Sequence, residues 1–261
     1  MTRSVILFLL VCFSSITSAQ ALAETSVSFA HLSAKDSAKA GGTTCPNGHC
    51  WLKSSIVPLA LVTAGVLVET VPAHTVFGKE RIQQHMQHKM NGFSTSADDY
   101  LQFVPIAALF SFKLAGMKSR SDLLNQMIIT AKSEMLVASI VYSMKHFIHN
   151  VRPDGSSANS MPSGHTAQAF VSATLLDMEY RDTSPWISAA GYLCATTTGY
   201  LRVANNRHWA SDVLIGAGIG ISSVKLIYLT HKYRWGNKPS SFVLVPTWYP
   251  KGGGVVFAMK F

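Results

Sequence analysis

The stretch MPSGHT at Met161–Thr166 lies between two apolar runs that have the length and composition of helices. Pro162 and the residues after it are typical of a turn that leads into a helix, and Ser163 is well suited to cap that helix. Gly164 would let an oxygen-bearing ligand approach the first-turn N–H groups, which together with the helix dipole favour an anion. Capping does not explain His165, which could give a proton to a departing oxygen. The stretch therefore predicts a helix start that also binds an anion.

Apolar runs of helical length dominate the chain on both sides of this stretch. The candidate helices are residues 52–71, 100–117, 122–149, 164–180, 185–202 and 209–232. Only 13% of the residues are charged, against about 25% in ordinary soluble domains. Lys132 and Glu134 near the middle of the third run must face the bundle or water, because ionisable groups are costly in hydrocarbon. The predicted fold class is all-α, a bundle of about six helices that is largely membrane-embedded.

The N-terminal segment has the pattern of a secretory signal peptide. Arg3 precedes the apolar run Val5–Phe13, and small residues follow it. The apolar run is short for a membrane span. We expect cleavage after Ala19 or Ala21, which makes residues 1–21 the signal peptide.

The segments that flank the helices differ from them in composition. Residues 22–51 are predicted to be a flexible exported lead-in, and Cys45 and Cys50 at its end are candidates for a disulfide. A metal site that uses this cysteine pair and His49 is the alternative, but it lacks a fourth nearby ligand. Residues 237–261 form a tail with two β-favouring runs, 242–248 and 255–261, which predict a small C-terminal β-hairpin.

The basic balance of the chain indicates an anionic partner. The formal net charge of +9 suits an anionic substrate or an anionic lipid surface. The basic residues are scattered and form no dense run with interleaved aromatics, which argues against nucleic acid. The polar stretch KERIQQHMQHKM at Lys79–Met90 is expected either to lie along a membrane surface or to form a solvated helix.

A second chemistry-bearing cluster is KHFIHNVRP at Lys145–Pro153. Lys145 and Arg152 are seven residues apart, so both cations would lie on one face if the helix continued through them. Pro153 would then end the helix. Taken alone, such cations at a helix end are more often explained by the helix dipole.

A third cluster is RVANNRHWASD at Arg202–Asp212. His208 and Asp212 have i, i+4 spacing and would be neighbours on one helical face if the helix began before them. A carboxylate that bonds one imidazole nitrogen fixes the orientation of the ring and leaves the other nitrogen as a nucleophile. The guanidinium of Arg202 could return to the same place, and its planar fork matches phosphate oxygens.

Together the three clusters supply three cations, a helix N-terminus and two histidines, one of them backed by a carboxylate. These are the groups that phosphoryl transfer through a covalent histidine intermediate needs. A metal centre built from His165, His208 and Asp212 is disfavoured, because the three cations would repel the metal.

In order and internal spacing, the clusters resemble the three motifs of the type-2 phosphatidic acid phosphatase and vanadium haloperoxidase superfamily. Its pattern of K-x6-RP, PSGH and SR-x5-H-x3-D is matched by Lys145 to Pro153, by Pro162 to His165 and by Arg202 to Asp212. Leu201 stands where the family has a serine, which removes one phosphate hydrogen bond. The resemblance covers about residues 100–232.

The resemblance implies a role for each matched residue. His208 attacks phosphorus, Asp212 orients it and His165 protonates the leaving alkoxide. The residues implied to hold the phosphate are Lys145, Arg152, Arg202, Ser163 and Gly164. No metal and no other cofactor is implied for the phosphatase branch, and residues 52–236 become the phosphatase domain.

The resulting prediction is a metal-independent phosphatase that acts on a phosphate monoester or pyrophosphate of a lipid-like substrate. The protein is expected to be exported and to lie in a bacterial-type inner membrane with its site facing the periplasm. One alternative is a soluble periplasmic acid phosphatase of broad specificity. The other is a non-catalytic membrane protein that binds a phosphorylated ligand, and it leaves the nucleophile–carboxylate pair without a purpose.

Overall fold

The computed structural model describes residues 49–233, together with the backbone of residues 242–249 and 252–259. The predicted signal peptide and Cys45 lie outside these residues, and so does the side chain of Cys50. Apart from one isolated β-bridge between Asn150 and Asn159, the regular structure within residues 49–233 is helical. The helices are α1 His49–Thr70, α2 Lys79–Lys89, α3 Ala97–Leu101, α4 Val104–Leu114, α5 Leu123–Phe147, α6 Gly164–Tyr180, α7 Pro185–Ala204 and α8 Ala210–Thr230. The all-α prediction is therefore confirmed.

The described helices agree with most of the predicted ones and divide one of them. Helix α6 has the predicted bounds, and α5 and α8 begin and end within about two residues of theirs. The predicted helix 100–117 is instead two helices, α3 and α4, separated at Gln102 and Phe103. This break matters for the site, because it turns the short helix α3 toward the end of α7.

Helix α6 is the centre of the bundle and packs against α4, α5, α7 and α8. Its contact with α8 is close because glycine faces it: a Cβ on Gly216 would lie 2.7 Å from the carbonyl oxygen of Ser163, and one on Gly220 would lie 2.5 Å from that of Ala167. On the other side of α8, a Cβ on Gly218 would lie 2.5 Å from Val62 of α1. Small residues thus let α1, α8 and α6 stack with their backbones nearly in contact.

Helix α2 docks onto the end of α7, and neither expectation for the stretch Lys79–Met90 anticipated this. The buried amide of Gln83 donates to the carbonyl oxygen of Val203 at 3.1 Å and to Oδ1 of Asn206 at 2.6 Å. Gln87 donates to the carbonyl oxygen of Ala204 at 3.1 Å. One face of α2 therefore supports the turn that follows α7.

Two of the described helices, α5 and α8, are long and apolar enough to cross a membrane by length and composition. The N-terminus of α8 and the C-terminus of α5 lie at the same end of the bundle as the N-terminus of α6. At the opposite end, Arg120 donates its backbone N–H to the carbonyl oxygen of Glu179 and its guanidinium lies over Tyr228, 5.8 Å from the ring centroid.

The tail contains two strands, β1 Phe242–Tyr249 and β2 Gly252–Met259. They pair antiparallel, with Phe242 opposite Met259 and Tyr249 opposite Gly252.

Candidate functional site

The three sequence clusters come together at one end of the bundle, where α5 and α7 end and α6 and α8 begin. Their charged groups are close enough to act on one another: Lys145 and Arg202 both act on the imidazole of His208, and Arg202 also acts on that of His165. The backbone N–H of Ser163 donates to the carbonyl oxygen of Asp212 at 3.1 Å, which joins the starts of α6 and α8 directly.

His208 lies in the turn between α7 and α8, two residues before α8 begins at Ala210. Helix α7 ends at Ala204, and Asn206 then adopts a φ of 60°, a left-handed conformation that asparagine tolerates better than most residues. The turn brings the backbone N–H of His208 back to the carbonyl oxygen of Arg202 at 3.3 Å. The condition of the i, i+4 argument, a helix that begins before His208, is therefore not met, although the two side chains do meet.

Asp212 faces His208 from the first turn of α8. Its Oδ2 lies 3.5 Å from Nδ1 of the imidazole and accepts the backbone N–H of Trp209 at 3.0 Å. The hydroxyl of Ser160 donates to the same oxygen and lies 3.4 Å from Nδ1. Because Nδ1 faces the carboxylate, Nε2 is the nitrogen left for a substrate. Sequence reasoning missed Ser160, which no motif position marks.

The surroundings of the His208 imidazole favour its neutral form. It is 2% exposed, and this burial lowers its pKa, because the interior disfavours the charged ring. The hydrogen bond and the charge of Asp212 raise the pKa of His208, whereas the charges of Arg202 and Lys145 lower it further. A neutral imidazole with an unprotonated nitrogen is what nucleophilic attack requires.

Lys145 and Arg152 lie at the same end of the bundle, but they do not share one face of a continuous helix. Helix α5 ends at Phe147, so Arg152 lies in the loop that follows and not on the helix. There Gly155, with a φ of 71°, allows a tight turn in which its N–H donates to the carbonyl oxygen of Arg152 at 3.0 Å. The ammonium of Lys145 donates to the carbonyl oxygen of Asn159 in the same loop at 2.6 Å.

Two guanidinium nitrogens at this end are buried without a hydrogen-bond partner among the described residues. They are Nε of Arg152 and Nε of Arg202. Buried N–H groups are costly when unpaired, so such groups indicate a missing acceptor. A tetrahedral anion between the two side chains would supply it.

The start of α6 confirms the predicted cap. Oγ of Ser163 accepts the backbone N–H of Thr166 at 3.4 Å and the hydroxyl of Thr166 at 2.9 Å, and Ser163 is fully buried. A Cβ on Gly164 would meet only Val141, at an ordinary 3.8 Å. Packing therefore does not require glycine there.

We expect Gly164→Ala to fold as well as the wild-type protein, since alanine is favoured in helices by about 1 kcal/mol over glycine. Phosphate or vanadate should nevertheless bind it at least several-fold more weakly, because the added methyl group covers the first-turn N–H groups. Melting temperature and vanadate inhibition measured on the same preparation separate the two effects. A variant that keeps full affinity for vanadate would contradict this account of Gly164.

His165 and Arg202 each contact a carboxylate that the sequence did not assign to the site. Nε2 of His165 lies 2.8 Å from Oδ1 of Asp99, and Nη1 of Arg202 donates to Oδ2 of Asp98 at 2.6 Å. Both aspartates belong to α3. The only signal for them in the sequence was an adjacent acidic pair in a chain with 13 acidic residues.

A comparison with protein-family models agrees with the three motifs that lie at one end of this all-α bundle. Residues 133–236 match the model of the PAP2 superfamily. This segment carries all three motifs, and the resemblance predicted from the motifs is confirmed. Among individual relatives, a lipid A 1-phosphatase from Porphyromonas gingivalis is 47% identical over 137 residues, which cover 52% of this chain and 31% of that protein. The match thus spans about a third of the length of the curated relative.

Two solved structures are also similar. One is LpxE from Aquifex aeolicus, at 25% identity and a TM-score of 0.39, covering 66% of this chain and 94% of that one. The other is a transmembrane PAP2-type phosphatidylglycerolphosphate phosphatase from Bacillus subtilis, at 20% identity and a TM-score of 0.36, covering 72% and 91%.

Proposed function

We propose that this protein is a membrane phosphatase that removes a phosphate monoester from a lipid, and that lipid A carrying a 1-phosphate is the first substrate to test. The observation that carries the proposal is the convergence of the three cations with the His208–Asp212 pair at one end of the bundle. The identity to a lipid A 1-phosphatase supports the choice of lipid.

In the proposed reaction, Nε2 of His208 attacks phosphorus while the bond from phosphorus to the lipid oxygen breaks. His165 gives its proton to the departing alkoxide, and the cations stabilise the charge on the transferring group. Water then hydrolyses the phosphohistidine, and its proton returns to His165. No step uses a metal ion. The phosphate-holding groups are Lys145, Arg152 and Arg202, with Ser163 and Gly164 at the start of α6.

We further propose that the site faces the periplasm. Lys118, Arg120 and Arg181 gather at the opposite end of the bundle: the carbonyl oxygen of Lys118 accepts the hydroxyl of Thr183, just beyond α6. Basic residues favour the cytoplasmic side of a membrane protein. An exported protein with α5 and α8 as spans would then present His208 on the outer side.

The test is phosphate release by the purified full-length protein in detergent, with lipid A, a phosphatidate and p-nitrophenyl phosphate compared side by side. We expect turnover of a lipid phosphate that vanadate blocks and EDTA leaves unchanged. Release of the protein into the soluble periplasmic fraction without detergent would favour the soluble acid phosphatase instead. Absence of turnover on all three compounds would contradict the proposal.

A further inference from the structure

We propose that Asp99 is the positioning residue of the proton donor, forming with His165 a second histidine–carboxylate pair opposite the pair of His208 and Asp212. The proposal rests on the proposed function, because it assigns a part to one step of that reaction. It adds helix α3 to the site, a segment that lies before the three motifs and outside residues 133–236.

The geometry of the contact carries the inference. Nε2 of His165 lies 2.8 Å from Oδ1 of Asp99, a strong hydrogen-bond distance across 66 residues of sequence. Asp99 is 53% exposed and His165 is 33% exposed, so both lie at the mouth of the site, where a substrate must pass. With Nε2 tied to the carboxylate, Nδ1 is the nitrogen that can deliver a proton to a leaving group.

Asp99 is placed there by its neighbour. Asp98 is 1% exposed and binds both Nη1 of Arg202, at 2.6 Å, and the amide of Asn205, at 3.1 Å. Asn205 also donates to the carbonyl oxygen of Thr95 at 2.8 Å and accepts its N–H at 3.0 Å. Helix α3 is thus fixed to the end of α7 by four contacts, and the next side chain along, Asp99, reaches His165.

Charge explains why the donor needs this partner. The charged groups among the described residues that face His165 are Arg202 from α7 and the two aspartates of α3. Burial and the charge of Arg202 lower the pKa of His165, whereas the hydrogen bond and charge of Asp99 and the charge of Asp98 raise it. Without the carboxylate of Asp99, less of the imidazole would carry the proton that the leaving alkoxide takes.

The experiment compares the full-length Asp99→Asn variant with the wild-type protein on two substrates, an alkyl phosphate lipid and p-nitrophenyl phosphate. We expect kcat/KM on the alkyl phosphate at pH 7 to fall roughly 10- to 100-fold, a part of what general acid catalysis contributes. The loss on the aryl phosphate should be several-fold smaller, because its phenolate departs with little need of a proton. The basic limb of the pH profile should move to lower pH.

Two further variants complete the design. Asp99→Glu should recover part of the activity on the alkyl phosphate, and Asp182→Asn, an exposed carboxylate at the opposite end of the bundle, should behave as wild type. An equal loss on both substrates with an unmoved pH profile would overturn the inference. An Asp99→Asn variant that binds vanadate more tightly but keeps the kcat/KM of the wild-type protein would also overturn the inference. The carboxylate of Asp99 would then only compete with the phosphate for its place. Inactivity of the wild-type protein on both substrates would instead refute the proposed function.

Discussion

His208→Ala should lose phosphatase activity by roughly 10⁴-fold or more, the scale at which removal of a nucleophile acts in other enzymes with a covalent intermediate. The imidazole is buried, which favours its neutral form, and its Nδ1 lies 3.5 Å from Oδ2 of Asp212. No other imidazole among the described residues shares this carboxylate. Phosphate release from a lipid phosphate in detergent, followed over hours, measures the residual rate.

The intermediate offers a more direct measurement than the rate. Wild-type protein mixed with a phosphorus-32-labelled substrate and quenched in alkali should retain label, because phosphohistidine survives base and is lost in acid. His208→Ala should retain none. The matched control is His149→Ala, since His149 is exposed and no motif assigns it a role. Full labelling of the His208→Ala variant would place the nucleophile elsewhere.

The bundle could be predicted from the sequence because its helices carry local signals. The cap at Ser163 and the apolar runs fixed the start of α6, and α6 was found with its predicted bounds. The end of α5 lies within two residues of the predicted one, but the path of the chain after it was not predicted, because the sequence around Phe147 has no glycine or proline until Pro153. The chain leaves the helix at Ile148 without such a signal, and Arg152 reaches the site by the fold of a loop.

The motif residues of the candidate site could be predicted by their types and order, whereas their supporting contacts could not. Asp98 and Asp99 meet their partners across 104 and 66 residues of sequence. Nothing in local periodicity indicates which distant cation a carboxylate will meet. Ser160 was missed for the same reason, since its partner Asp212 is 52 residues away.

Substitutions in the buried ion pair of Asp98 and Arg202 should show whether the stability of the protein and its binding of phosphate depend on the same atoms. Asp98→Asn leaves the guanidinium buried beside a neutral amide, and breaking one partner of such a pair costs about 3–5 kcal/mol. We therefore expect a clear fall in the melting temperature of the detergent-solubilised protein. Arg202→Met should destabilise it as well, because it leaves the carboxylate of Asp98 without its cation.

The double variant Asp98→Leu/Arg202→Met separates the two roles of Arg202. Replacing both partners of a buried pair by apolar side chains is often neutral for stability, so the melting temperature should recover toward that of the wild-type protein. Activity should not recover, because Nε of Arg202, which has no acceptor in the part of the chain that the structure describes, is the group proposed to meet the phosphate. Loss of one such donor costs roughly 10²- to 10³-fold in rate. A stable and fully active double variant would show that Arg202 serves the fold alone, and the phosphate would then be held by Lys145 and Arg152 without it.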